Sequence, residues 1–192
     1  MNSTFLTNHP VNNFKRSDYS LEPEYIFGNS FSKFYRDNYL KIHSRTHLTE
    51  FEIIRELPIH GLGISDMVNI SWKGSGLPIS QILNPTNTSK EIYKIRAFEF
   101  KITDWKKGLL QAHRYNFYSH ASILVLPLST YDNALKALET FKKLRVGLWG
   151  FDMDKKVLKR AYTPRPNNSF SNKHYNTAKK KAFSFLMEFQ PK

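Results

Sequence analysis

Apolar positions recur with two different periods along the chain, and the switches between them mark out its elements. Phe31, Phe34, Tyr35 and Tyr39 recur at helical spacing, which predicts a short amphipathic helix over 29–43. Residues 51–72, FEIIRELPIHGLGISDMVNISW, hold two β-like runs around a glycine-bearing turn and predict a hairpin. Pro58 puts the first of these strands at an edge or a bulge. Residues 73–90 are turn-rich and read as a loop. A strand follows at 92–102, then a helix capped by Thr103 and running to about Ser119. The continuous apolar run ASILVLP, 121–127, has the pattern of a strand buried on both faces. Ser129 and Asp132 open another helix, with Leu135, Leu138 and Phe141 on one side. VGLWGFD and VLKRAYT predict two strands joined at MDKK. A polar loop then leads into a last helix near 174–189. Its apolar face carries Ala178, Ala182, Phe185, Leu186 and Phe189, with Lys179, Lys180 and Lys181 elsewhere.

This order gives an α/β protein with a mixed sheet covered by helices, in which the step from 92 to 127 is a right-handed parallel crossover. Residues 1–20, rich in Asn, Ser and Thr, are expected to be a loose arm ahead of a single domain over 21–192.

Charges interrupt two of the apolar strand faces. Side chains alternate along a strand, so Ile95, Ala97, Glu99 and Lys101 share one face while Phe98, Phe100 and Ile102 share the other. In the hairpin, Asp66 shares a face with Ile64, Val68 and Ile70. A buried carboxylate without a partner costs several kcal/mol or more. A metal ion shared by Asp66 and Glu99, with Lys101 beside it, would satisfy both acids. The plainer alternative is a local Glu99–Lys101 salt bridge, with Asp66 hydrogen-bonded in a turn.

Composition narrows the setting. The 192 residues include no cysteine, which excludes disulfides and thiolate metal sites and fits a reducing, cytoplasmic environment. The longest apolar run is too short to span a bilayer, and the N-terminal stretch lacks the apolar core of a signal peptide, so no membrane association is expected. Net charge is +13, unevenly spread: residues 1–141 hold 16 Lys and Arg against 13 Asp and Glu, residues 142–192 hold 13 against 3. A basic excess confined to one region fits a polyanion-binding surface, since phosphates reward clustered cations by releasing counterions. It fits a solvated basic tail as well.

An Asp in a hairpin, E-x-K on the next strand, a helix carrying Q-x-x-x-Y and then an apolar strand together resemble the PD-(D/E)XK nuclease superfamily. The elements are ISDMVNI with Asp66, FEFKI with Glu99 and Lys101, LLQAHRY with Gln111 and Tyr115, and ASILVLP, covering roughly 50–130. The Q-x-x-x-Y helix is similar to that of the RecB-like branch; Ser65 departs from the proline of the family's name. The resemblance implies a restriction-endonuclease-like three-layer α/β/α core with a mixed central β-sheet. It further implies a metal-dependent nuclease acting on DNA, expected to be an endonuclease, with Mg²⁺ as cofactor and Mn²⁺ able to substitute. Asp66 and Glu99 would be metal ligands, the Phe100 carbonyl a third, and Glu56 a candidate further carboxylate. Lys101 would orient the attacking water or stabilise developing charge; Gln111 and Tyr115 would contact DNA or brace the ligands. No acidic residue on the predicted 29–43 helix matches the helical glutamate of some branches.

Candidate phosphate contacts are Lys106, Lys107, Arg114, Lys155, Lys156, Lys159, Arg160, Lys179, Lys180 and Lys181. Expected partners are DNA and, since no separate recognition domain is visible, a protein that supplies target recognition; a homodimer is a further option. The competing reading is a catalytically silent module of the same fold that binds nucleic acid or a partner protein. His43 and His47, at i and i+4, read as surface histidines rather than metal ligands, and His113 as facing phosphate or solvent.

Overall fold

A six-stranded sheet in sequential order, β1 to β6, forms the centre of the molecule. The computed structural model describes residues 22–44, 47–73, 93–167 and 171–188. The expected arm over 1–20, the loop over 73–90 apart from Lys73, and the side chains of Leu186 and Phe189 lie outside the described residues. The strands are β1 (Glu50–Ile59), β2 (Gly63–Trp72), β3 (Tyr93–Phe100), β4 (Ala121–Pro127), β5 (Val146–Asp152) and β6 (Val157–Tyr162). β1–β2–β3 pair antiparallel, β3–β4–β5 parallel, and β6 returns antiparallel to β5. Helix α1 (Pro23–Asp37) and the short α2 (Tyr39–Ile42) precede the sheet. The helix α3 (Trp105–Tyr115) makes the β3-to-β4 crossover, α4 (Leu128–Leu135) and α5 (Leu138–Lys143) the β4-to-β5 crossover, and α6 (Asn172–Glu188) follows β6. The class is therefore α/β with a mixed sheet and flanking helices.

The hairpin falls where expected, and β1 with Pro58 is the edge strand. Its turn needs left-handed backbone at Gly61 (φ 78°) and Gly63 (φ 96°), which glycine adopts without a Cβ penalty. Three helices differ from the sequence expectation. α1 starts at Pro23, six residues early, and stops at Asn38, whose side-chain Nδ2 donates to the Phe34 carbonyl at 2.9 Å and closes the last turn. Asp104, not Thr103, caps α3, its Oδ1 accepting from Lys107 N at 3.1 Å, and α3 ends at Tyr115 rather than Ser119. The expected helix after Ser129 is two, α4 and α5.

Each sheet face has its own core. One buries Val68, Ile70, Ile95, Ala97, Leu124 and Leu148 against residues of α3, α4, α5 and α6. The other is an aromatic layer, with Phe27, Phe31, Tyr35 and Tyr39 of α1 and α2 on Phe98, Phe100, Trp149 and Phe151. Phe31 is its hub, fully buried, with ring centroids 5.4 Å from both Phe100 and Phe151 and 5.9 Å from Phe98. Among the described residues no helix is long and apolar enough to cross a membrane.

Phe31→Ala removes the hub of one core and leaves a cavity the flanking rings cannot close. Urea unfolding should show a loss of about 3–5 kcal/mol; a loss below about 1 kcal/mol would mean the aromatic layer repacks freely.

Candidate functional site

The β2–β3 ladder runs from Trp72 opposite Tyr93 to Met67 opposite Phe98. One step further lie Asp66 and Glu99, facing each other on the sheet side covered by α3. Asp66 Oδ2 accepts the Phe100 N–H at 2.7 Å, taking the place that a β2 backbone acceptor fills along the paired part of the strand. In an extended residue N–H and C=O leave along the same edge, so the Phe100 carbonyl also faces the Asp66 side.

Glu99 is 1% exposed. Its Oε2 accepts from the Tyr115 hydroxyl at 2.5 Å and its Oε1 lies 3.1 Å from Lys101 Nζ. Tyr115 belongs to α3, which comes close because Gly108 has no side chain. A Cβ there would stand 2.6 Å from Lys101 Cγ and 2.7 Å from Leu124 Cδ1. The Tyr115 hydroxyl also lies 2.8 Å from the Ile64 carbonyl, so its one proton serves two acceptors. One turn earlier on α3, the buried Gln111 Oε1 has no hydrogen-bond partner among the described residues.

A residue the sequence reading passed over completes the cluster. Glu24, in the first turn of α1, places Oε2 3.1 Å from Lys101 Nζ and accepts the Ile102 N–H through Oε1 at 3.4 Å. The signal was present in Pro23 followed by an acid, a helix-start pattern. The helix was expected to begin only at 29, and its acid was missed with its first turns. A second omission is Arg55 on β1, which shares a strand face with Phe51 and Ile53. Its Nη1 donates to Ser32 Oγ at 2.9 Å, and its guanidinium lies 5.3 Å from the Phe100 ring centroid. It forms no ion pair among the described residues. The rule that exposed Asp66, a charge on an apolar strand face, applies to Arg55 equally.

The electrostatics follow from burial. Desolvation pushes the Asp66 carboxyl above its ordinary range, with Glu24 adding to the rise, while the Phe100 N–H, Lys101 and Arg55 oppose it. Glu99 is pushed up to about 7, first by burial and then by the charge of Asp66, against the pull of Tyr115 and Lys101. Burial pulls the Lys101 ammonium down, but Glu99, Asp66 and Glu24 outweigh it and hold the group above its usual value. Burial, then Glu99, pushes the Tyr115 phenol up, so it acts as a donor.

Among the described residues no three His, Asp or Glu side chains gather as a metal-binding group. An ion here would be held by Asp66, Glu99 and the Phe100 carbonyl, an all-oxygen set that suits Mg²⁺ or Mn²⁺. The donor set fits a dication: two carboxylates short of compensating charge face each other across adjacent strands. Glu56 is not part of it. Its left-handed backbone (φ 53°) interrupts the β1–β2 pairing between Arg55–Met67 and Leu57–Ser65, and its charge acts on Arg55. Glu24, not Glu56, is the third acid of the cluster.

The basic candidates are spread out. Lys106, Lys107 and Arg114 are exposed on α3; Lys155 and Lys156 lie in the β5–β6 turn; Lys159 and Arg160 lie on β6; Lys180 and Lys181 are exposed on α6. Lys156 donates to Ser30 Oγ at 2.8 Å. Lys179 is 7% exposed and does not join the basic surface. It falls in the apolar stripe with Tyr175, Ala178 and Ala182, and its ammonium lies 5.6 Å from the Tyr93 ring centroid. His43 is likewise no surface histidine, since its Nε2 hydrogen-bonds the Tyr35 hydroxyl at 2.7 Å. Its Nδ1 counterpart in His113 hydrogen-bonds the Leu144 carbonyl group at 3.0 Å, a packing role.

A carboxylate with a raised folded-state pKa stabilises the fold below its unfolded value, and that stability is lost as pH rises through the folded value. For Glu99 the window runs from its ordinary value of 4.5 to about 7. His43 and His120, both lowered to about 3 by burial, act with the opposite sign below the ordinary histidine range. The Glu99 contribution is therefore read as a difference. In EDTA, Glu99→Gln should gain on wild type by up to roughly 3 kcal/mol between pH 4.5 and 7.5 in denaturant titrations. Parallel stability profiles for the two proteins would contradict the burial of this charge.

No protein-family model, curated protein or solved structure matches the chain, so a functional reading rests on the geometry of this cluster.

Proposed function

We propose that the chain is a metal-dependent nuclease hydrolysing DNA phosphodiester bonds at the Asp66–Glu99–Lys101 cluster, in the manner of the PD-(D/E)XK superfamily its motifs resemble. The observation that supports this best is the meeting of Asp66 and Glu99 where β2 and β3 part, with the Lys101 ammonium 3.1 Å from Glu99. Phosphodiester hydrolysis needs an activated water, in-line attack and neutralisation of the charge that develops on phosphate. A bound Mg²⁺ supplies the first and last of these by lowering the pKa of water and screening the phosphate oxygens.

The chain's own residues do the remaining work. The Phe100 N–H fixes the Asp66 carboxylate, and the Tyr115 hydroxyl fixes Glu99, so both acids are oriented before any ligand arrives. Glu24 steadies the far side of the Lys101 ammonium, leaving it a proton to offer an attacking water or a phosphate oxygen. Lys106, Lys107 and Arg114 on α3, the helix that backs the site, are suited to hold the flanking phosphates as point charges. Lys180 and Lys181 on α6, and Lys155, Lys156 and Lys159 near β6, are further candidates.

One observation favours the silent-module reading. Lys101 already bridges Glu99 and Glu24, which satisfies much of the buried negative charge without a metal. Incubation with plasmid and with linear DNA in Mg²⁺, Mn²⁺ or EDTA separates the two. Wild type should nick or cut in either metal and not in EDTA. Asp66→Asn, Glu99→Gln and Lys101→Ala should each lose at least about 100-fold in rate while keeping DNA affinity. Equal cleavage by all four proteins would refute the assignment of the site; binding without cleavage by wild type would establish the silent module. Tyr115→Phe should reduce cleavage by about tenfold, losing the bond that orients Glu99 but no metal ligand.

A further inference from the structure

At the other end of β3, on the opposite sheet face from Glu99, lies a cleft of about 1080 Å³. Its lining among the described residues includes His43, His47, Lys73, Lys94, Arg96 and Arg160, and no described carboxylate. None of its four Lys and Arg forms an ion pair with a described residue. In a protein surface of mixed charge, cations that converge on a cavity without acids to match them raise the local anion concentration.

The floor of the cleft is built rather than incidental. Asn69 and Ser71 are fully buried, and both accept from Arg96 Nη1, at 3.2 and 2.8 Å. The Arg96 Nε and Nη2 have no hydrogen-bond partner among the described residues, so the fork is fixed at one corner with its other donors unused. Arg160 is held in the same way: its Nη1 donates to the Ile42 carbonyl at 2.8 Å and its guanidinium lies 5.9 Å from the Trp149 ring centroid. Burial, with Arg96 and Arg160 beside it, pushes His43 down to about 3, which makes it a neutral hydrogen-bonding wall.

We propose that this cleft binds a small polyanion with adjacent phosphate groups, of the nucleoside-polyphosphate class, at a site separate from the carboxylate cluster. Pre-fixed guanidinium forks are suited to phosphate because their planar donors match its oxygens and lose little freedom on binding. The volume is of the size that takes a nucleotide-sized ligand rather than a bare inorganic ion. Geometry favours a compact ligand over a nucleic-acid strand. The cations approach from two sides, the β2–β3 end and β6, with the neutral His43 of the turn after α2 between them, and converge instead of following a track. The inference does not depend on the chain cutting DNA.

Isothermal titration of the full chain with ATP, ADP, AMP and adenosine, in EDTA, tests this directly. A single saturable site should bind in the order ATP, ADP, AMP, with no binding of adenosine. The double variant Lys73→Glu/Lys94→Glu should weaken ATP by at least about tenfold, and Arg160→Gln by less. Lys142→Glu, a charge reversal on α5 away from the cleft, should leave the affinity unchanged, as should Asp66→Asn. Melting curves establish that each variant is folded. Absence of saturable ATP binding, or equal affinity in wild type and the double variant, would overturn the proposal. So would a short thymidine oligonucleotide that binds with the same variant losses while ATP neither binds nor competes.

Discussion

The N–H of Phe100 emerges from β3 two residues past the last rung that strand shares with β2, in a part of the protein closed to solvent. A buried backbone donor without an acceptor costs about 1–3 kcal/mol. Asp66 supplies the acceptor, and the rest of the cluster follows from that choice. A carboxylate fixed there stands opposite Glu99 and makes its ionisation harder. Lys101 offsets both acids, and Glu24 in turn holds Lys101 from the start of α1. Thus one interrupted ladder ties together β2, β3 and the first helix, and none of the four charges is explained without the others.

Such a cluster works against the stability of the fold, since every carboxylate in it is partly stripped of water. The two cores carry that load. Phe98 and Phe100 lock one face of β3 into the aromatic layer around Phe31, while Ile95 and Ala97 sit in the core under the α3–α6 helices. With both faces anchored, the strand end is held in place and its charges cannot relax apart. The close approach of α3 at Gly108 does the same from above, bringing Tyr115 onto Glu99. Rigid surroundings are what allow unfavourable ionic groups to persist at a fixed geometry.

The order of the strands, the edge position of Pro58, the parallel crossover and the pairing of Glu99 with Lys101 were legible in the sequence. Each depends on local alternation or helical period, which a single sequence displays. Glu24 was not legible by periodicity, because it contacts Lys101 from 77 residues away and lies ahead of the aromatic stripe that marked the helix. Glu56 misled for the opposite reason: alternation places it opposite Asp66, but a left-handed residue breaks alternation, and nothing in EL around Glu56 announces one. Lys179 shows the limit of reading charge as exposure. Its position in the apolar stripe of α6 overrode its chemistry, and the ammonium came to rest over Tyr93.

β3 thereby carries two electrostatic environments that ask for opposite partners. At its C-terminal end Glu99 and Glu24 share Lys101 while Asp66 adds a third negative charge, and a phosphate arriving there meets a field that is not attractive without a further cation. At its N-terminal end Lys94 and Arg96 line a cleft with no acid among its described lining residues, a field of the sign that the proposed phosphate ligand needs. The sheet keeps these apart, since residues 94 and 96 lie on the face opposite residue 99. An anion held in the cleft cannot compensate the acids, and a dication at the acids cannot screen the cleft except at long range, where salt weakens the interaction. Under the two proposals, sites so divided would be occupied independently, and the metal dependence proposed for one and the anion affinity proposed for the other would be separable properties of one strand.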